Sequence, residues 1–203
     1  MRHGKVVKYG YIKQFLLVLY LVGPQQYSVA ADKTILSHSP DKKSYVYFKT
    51  DEDTGHQRLY IFNNKFKKRR LLTDGKFRLT PKVVWHDKKN VEIVVYTGSP
   101  GRFSIFYNLK NNRKSEKLWF VIAFNRHKEI ALLGGVNIEL KKIYSNKKVK
   151  ILKIDDIYHT AINFLVVQDA VFQQNNDLFF RYSTRTNKIK DYLVKYSEYK
   201  NLR

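Results

Sequence analysis

Two short clusters in this 203-residue chain carry the residue types that acid–base chemistry needs. His86 is followed directly by Asp87, and Asp155-Asp156 stands three residues before His159. A carboxylate held against an imidazole can orient a general base or complete a metal site. Adjacent residues of a strand point to opposite faces, so His86-Asp87 reads as a solvated turn rather than a working pair. Asp155, Asp156 and His159 form the best local cluster, although acids at that spacing also cap a helix. His38, His56 and His127 stand singly, with no His-x-His or His-Glu-x-x-His spacing. Asp51-Glu52-Asp53 reads as an acidic hairpin tip before it reads as a cation site. There is no Gly-x-Ser-x-Gly elbow and no Walker loop, and Gly98-Ser-Pro-Gly101 is a turn that leads into a strand. The chain has no cysteine, so disulfides, thiolate metal sites and cysteine nucleophiles are excluded. No cofactor or metal is called for, and the expectation is a protein that is not an enzyme.

A second set of residues points to binding. Basic stretches follow three strand-like segments: Lys65, Lys67, Lys68, Arg69 and Arg70; then Lys110, Arg113, Lys114 and Lys117; then Lys147, Lys148 and Lys150. Turns at equivalent places in stacked or radial units fall on one side of a molecule, which would gather these cations into a basic rim. Phe66, Phe77 and Tyr144 lie among them and could stack on sugars or bases. The bland alternative is that turns are exposed and exposed positions in a Lys-rich chain are Lys.

The elements that would position this rim repeat along the chain. Ser39-Pro-Asp-Lys-Lys-Ser is a turn leading into alternating Tyr45-Val-Tyr-Phe48, and Arg58-Leu-Tyr-Ile-Phe62 is a second strand before Asn63-Asn64. Trp85-His-Asp-Lys-Lys-Asn leads into Val91-Glu-Ile-Val-Val-Tyr96, and Arg102-Phe-Ser-Ile-Phe106 follows. Arg58, Ile61, Phe62, Asn64 and Arg69 recur 44 residues later as Arg102, Ile105, Phe106, Asn108 and Arg113. Ile143 to Lys148 matches Ile105 to Lys110 as a third copy, preceded by strands at Trp119–Phe124 and Glu129–Leu133. A fourth unit runs from Asn163 through Asp177–Tyr182 to Lys190. Repeats near 40 residues with several short strands each are the mark of propeller blades or stacked meanders.

Ser39-Pro-Asp41-Lys-Lys-x-Tyr-Val-Tyr-Phe48 followed by Leu59-Tyr-Ile-Phe62 resembles the blade motif of TolB-like β-propellers, and Trp85 to Val95 resembles the same opening. The resemblance covers residues 36–118, with Lys43 and Lys89 in place of the turn glycine. It implies a periplasmic scaffold that binds other macromolecules, without catalysis. The expected fold class is therefore mainly β, built of repeated antiparallel meander units. A small or partial propeller, an open meander and a two-sheet sandwich all fit. Helical spacing at Ile157, Ala161, Phe164 and Leu165, and again at Ile189, Tyr192, Leu193, Tyr196 and Tyr199, predicts at most one short helix, near 155–168 or at the C-terminus.

Composition and the N-terminus supply the setting. Arg2, Lys5, Lys8 and Lys13 precede the apolar run Phe15–Val22, and Ser28-Val-Ala30 offers small residues for cleavage, so residues 1–30 read as a secretory signal peptide. Eight apolar residues span about 12 Å as a helix, too short for an anchor. Residues 31–203 are then one all-β domain of three to four units, exported to the periplasm or secreted, with no membrane span. The hydrophobic fraction of 43%, with 15 Tyr, 13 Phe and 2 Trp, excludes a disordered polymer. The formal charge of +22 comes from 39 Lys+Arg against 17 Asp+Glu. It favours an acidic protein or an anionic glycan, with nucleic acid as a non-specific partner. Lys outnumbers Arg heavily, which is also what an AT-rich genome imposes. The functional expectation is an exported, non-enzymatic binding or scaffold protein of a bacterial envelope with a basic face. The alternatives are a toxin-neutralising periplasmic immunity protein, and a secreted virulence factor or hydrolase with its site around Asp155, Asp156 and His159.

Overall fold

The turns set the repeat. In Ser39-Pro-Asp-Lys-Lys-Ser44, the buried Ser39 hydroxyl accepts the Ser44 amide at 2.9 Å and donates to Asp41 Oδ1 at 2.8 Å. In His86-Asp-Lys-Lys-Asn90, Asp87 Oδ1 accepts the amides of Lys89 at 2.6 Å and Asn90 at 2.8 Å. The turn that follows each second hairpin is tied back to the first by the same backbone bond, Asn64 N to Lys43 O and Leu109 N to Lys89 O, both at 2.8 Å. An Asp or Ser side chain that satisfies amides two or three residues on stabilises the turn without a glycine. The left-handed position of the first turn belongs to Lys42 (φ 55°) rather than Lys43, and the second turn uses no positive φ.

The computed structural model describes residues 33–64, 67–98, 101–135, 137–152, 167–184, 186 and 188–202. The signal-peptide segment 1–30, Lys65, Phe66, the Asp155, Asp156 and His159 cluster and the helical spacing near 155–168 lie outside the described residues.

Four antiparallel sheets follow one another in chain order. The first is β1 (Lys33–His38), β2 (Ser44–Thr50), β3 (Gln57–Asn63) and β4 (Lys68–Gly75), in spatial order 1-2-3-4. The second is β5 (Lys82–Trp85), β6 (Asn90–Tyr96), β7 (Arg102–Asn108) and β8 (Arg113–Lys114), with β9 (Leu118–Trp119) also paired to β7. The third is β10 (Val121–Asn125), β11 (Ile130–Gly134), β12 (Ile138–Lys142) and β13 (Lys148–Leu152), and the fourth is β14 (Val167–Phe172), β15 (Leu178–Ser183) and β16 (Ile189–Val194). The fold is mainly β, made of repeated meander units of propeller-blade type. A single short helix, α1 (Tyr196–Tyr199), and a 3-10 turn at Lys200–Leu202 close the described chain. The apolar spacing at Ile189, Tyr192 and Leu193 is strand rather than helix: Tyr192 faces the core with Val194, while Ile189 and Leu193 face outward.

Consecutive sheets pack face to face. Val46, Leu59, Ile61 and Leu72 of the first meet Val91, Ile93, Phe103, Ile105 and Tyr107 of the second. The opposite face of the second sheet packs Phe106 and Leu118 against Ala131 and Ile143 of the third. Ile130, Leu132, Ile138 and Leu140 of the third then meet Leu178, Phe180, Tyr182 and Val194 of the fourth. The second sheet is covered on both faces, which is why β6 reads as a nearly continuous apolar run rather than an alternation. No helix among the described residues is long and apolar enough to cross a membrane.

Candidate functional site

Pairing register decides where the basic run of β4 points. Lys68 lies opposite Asn63, Arg69 opposite Phe62 and Arg70 opposite Ile61, a core-facing residue. Lys68 and Arg70 therefore lean toward the second sheet, whereas Arg69 lies on the other face, its guanidinium 5.8 Å from the Tyr60 ring centroid. The second sheet meets them with the end of β7 and the turn after it. Asn108 Oδ1 holds that turn by accepting the amides of Lys110 at 2.9 Å and Asn111 at 3.3 Å. Asn112 follows in the left-handed region, with φ 57°.

Between them lies a cavity of about 600 Å³, bordered by Lys68, Arg70, Tyr107, Leu109, Lys110 and Asn112, with no carboxylate among the described residues of its lining. Arg70 Nη1 donates to the Asn112 carbonyl at 3.1 Å and its guanidinium lies 5.7 Å from the Tyr107 ring centroid. The Tyr107 hydroxyl donates to Asn112 Oδ1. Burial raises the Tyr107 phenol above its ordinary range, and the Arg70 charge only partly offsets this, so it remains a protonated donor at neutral pH. Lys114 Nζ crosses the same seam to the Leu72 carbonyl at 3.2 Å. Among the described residues, neither Lys68 nor Lys110 has an ion-pair partner. Two uncommitted ammonium groups, a guanidinium with donors to spare and an amide-rich turn suit a carboxylate, sulfate or phosphate.

The other rim residues go elsewhere. Lys67 is an exposed turn residue (φ 48°) that precedes β4. Arg113 latches the second unit to the third: it donates to the Tyr144 carbonyl at 3.3 Å, stacks 4.5 Å from that ring and faces Glu129 at 3.5 Å. Lys148 pairs with Glu139 at 3.2 Å, and Lys147 is exposed in the turn before it. Two of the aromatics read as stacking surfaces, Phe77 and Tyr144, are packed instead. Phe77 rests on the first core, and Tyr144 lies under Arg113, where burial pushes its phenol well above the usual range.

The acid–base pair at His86 has a different partner from the one its neighbour suggested. Asp87 is a turn cap: burial alone would raise its carboxyl, but hydrogen bonds from Asn90 and Lys89 outweigh this and hold it low. His86 Nε2 instead meets Glu92 Oε2 at 3.0 Å, and Ser104 Oγ donates to Glu92 Oε1 at 2.6 Å. The imidazole lies edge-on to Phe124 at 4.7 Å and stacks on Phe106 at 5.9 Å. This order of groups does not activate a nucleophile, because Ser104 gives its proton to the acid rather than to the imidazole and is buried. Glu92 was overlooked in the strand signature Val91-Glu-Ile-Val-Val95. A lone acid in a strand buried on both faces is itself the signal, since it must find donors. Asp51 accepts the Thr54 amide at 3.1 Å as a turn cap. Among the described residues no three His, Asp or Glu side chains gather at a metal-binding spacing.

No protein-family model and no curated protein matches the chain. Several solved structures are similar to it. The β-propeller domain of the Trilobed protease from Pyrococcus furiosus, described as having an open velcro topology, matches with a TM-score of 0.43 and 10% identity, over 80% of this chain and 55% of that one. An uncharacterized protein from Listeria monocytogenes EGD-e matches with a TM-score of 0.34 and 12% identity, over 81% of this chain and 55% of that one. The chain thus spans about half the length of either structure.

Proposed function

We propose that the chain is an exported, non-enzymatic binding protein whose first seam, between the first and second sheets, receives the anionic groups of an acidic protein or glycan. The observation that carries this reading is the cavity bordered by Lys68, Arg70 and Lys110, with no carboxylate among the described residues of its lining. Four cations elsewhere face acids, Arg113 with Glu129, Lys141 with Glu116, Lys148 with Glu139 and Arg181 with Asp191, whereas Lys68, Arg70 and Lys110 converge on one hollow. Unanswered positive charge at a concave seam focuses the field on an incoming anion. Export rests on the N-terminal pattern of a basic stretch, an apolar run and Ser28-Val-Ala30.

The test is binding of defined anionic probes, polyglutamate and a sulfated glycan, together with capture from an envelope extract, each at low and high salt. Charge reversal at Lys68 and Lys110 is expected to remove binding while the melting temperature holds. Binding that survives the double reversal would contradict the site. Retention that is steeply salt-dependent and indifferent to these two residues would assign it to the diffuse field of the chain.

A further inference from the structure

Among the described residues no sheet packs on the outer face of the first sheet or of the fourth, and each of these faces mixes charged with large apolar side chains. Stacked repeats need a polar outer face at each end to stay soluble as single molecules. Here, of the seven large apolar side chains strongly exposed among the described residues, five lie on these two faces: Ile35 (46%) and Leu71 (41%) on the first sheet, Val171 (52%), Ile189 (59%) and Leu193 (49%) on the fourth. Register confirms the placement. Ile35, Tyr47, Tyr60 and Leu71 form one cross-strand row on the face away from the first core, and Val171, Phe179 and Leu193 form another on the face away from the last core.

The two faces differ in charge. On the first, Lys33 lies 4.3 Å from the Tyr45 ring centroid and Arg69 lies over Tyr60, while register adds Lys49 and Arg58 to the same face. The acid there is Asp74, opposite Arg58 and 3.6 Å from His56. On the fourth sheet, Asp169 and Asp191 share one cation, Arg181. Pairing the first face with itself would oppose four cations to four cations; pairing it with the fourth face opposes them to two carboxylates that share one guanidinium, and apolar rows to apolar rows.

We infer that the chain associates head to tail, with the outer face of the first sheet of one copy seated on the outer face of the fourth sheet of another. Such a contact is heterologous, so each copy keeps one face of each kind and the assembly either closes into a ring or extends. The inference rests on other observations than the anion site, although Arg69 and Leu71, at the edge of the first sheet, border both the cavity and this face.

Sedimentation of the purified chain across a range of concentrations, with two single variants, tests it. Wild type is expected at twice the single-copy mass or more. Ile35→Asp, on the first face, and Leu193→Lys, on the fourth, each change an exposed side chain, so far-UV circular dichroism should be unchanged while each variant alone sediments as a single copy. An equimolar mixture should recover a species of two copies and stop there, since each variant retains the face the other has lost. A wild type that remains a single copy at 100 µM overturns the inference, as does a Leu193→Lys variant that still associates while Ile35→Asp does not. A mixture that forms no two-copy species also overturns it.

Discussion

The seam between the first and second sheets and the seam between the second and third share the second sheet, yet they handle charge in opposite ways. At the second seam Glu92 is buried and fully answered, by His86 on one oxygen and Ser104 on the other, under a cover of Phe106 and Phe124. The cations beside it are answered as well: Arg113 by Glu129, and Arg126 by the His86 carbonyl at 3.2 Å. At the first seam Arg70 and Lys114 spend part of their donor capacity on carbonyls, but Lys68 and Lys110 face a cavity with no acid among the described residues of its wall. The second seam answers its buried acid from within the fold. The first leaves charge uncompensated, which costs stability unless a partner supplies the anion.

The sharpest break of this contrast is at Glu92. Replacing it with Ala leaves His86 and Ser104 without their acceptor in a buried site and should cost about 3 kcal/mol in urea unfolding, while anion binding at the first seam is unchanged. Lys68→Glu with Lys110→Glu should do the reverse: at least a tenfold loss of probe binding, about 1.4 kcal/mol, with unfolding moved by less than about 0.5 kcal/mol. A mixed result, with both properties falling together in either variant, would mean the seams are coupled. Ser39→Ala removes the buried hydroxyl that closes the first turn and should cost about 1 kcal/mol without touching either seam.

A smaller effect concerns the last sheet and sets a stability limit on alkaline assays. The Tyr199 hydroxyl donates to the Asn176 carbonyl, and burial, with Asp177 nearby, pushes its phenol up to about 12. The folded state holds that proton more tightly than the unfolded chain, whose phenol titrates near about 10. Its stability contribution is therefore complete below pH 10 and declines as pH rises toward 12. Tyr199→Phe should flatten that limb of an unfolding-against-pH profile.

Much of the architecture was legible because its signals are local. Ser39-Pro-Asp and Trp85-His-Asp mark turns by side chains that bond their own backbone, and the β-branched and aromatic run Tyr45 to Phe48 marks a strand. The basic runs were visible too, and they do open the fourth strand of each of the first three units. What a linear reading misses is register. Arg69 and Arg70 are neighbours in sequence, but pairing with Phe62 and Ile61 sends them to opposite faces of one sheet. The irregular pairing between Leu59 and Tyr60 places both Leu72 and Thr73 in the buried class, which no two-residue period foretells. Glu92 paired with His86 is a contact across a hairpin, and Asp87 was a nearer candidate only along the chain. Ile189, Tyr192 and Leu193 fit a helical spacing by coincidence of two strand faces, and only Tyr196 to Tyr199 beyond them is helix.

The central claim is that the uncompensated cations of the first seam, rather than the net charge of the chain, bind the anion. It is tested most directly by comparing two double reversals of equal charge: Lys68→Glu with Lys110→Glu at the seam, and Lys150→Glu with Lys200→Glu at exposed positions of the third and fourth units. Polyglutamate binding, followed by titration calorimetry at moderate salt, should fall at least tenfold for the first pair and stay within about twofold for the second. Equal losses for both pairs would contradict the account and leave the charge as a diffuse property of the surface.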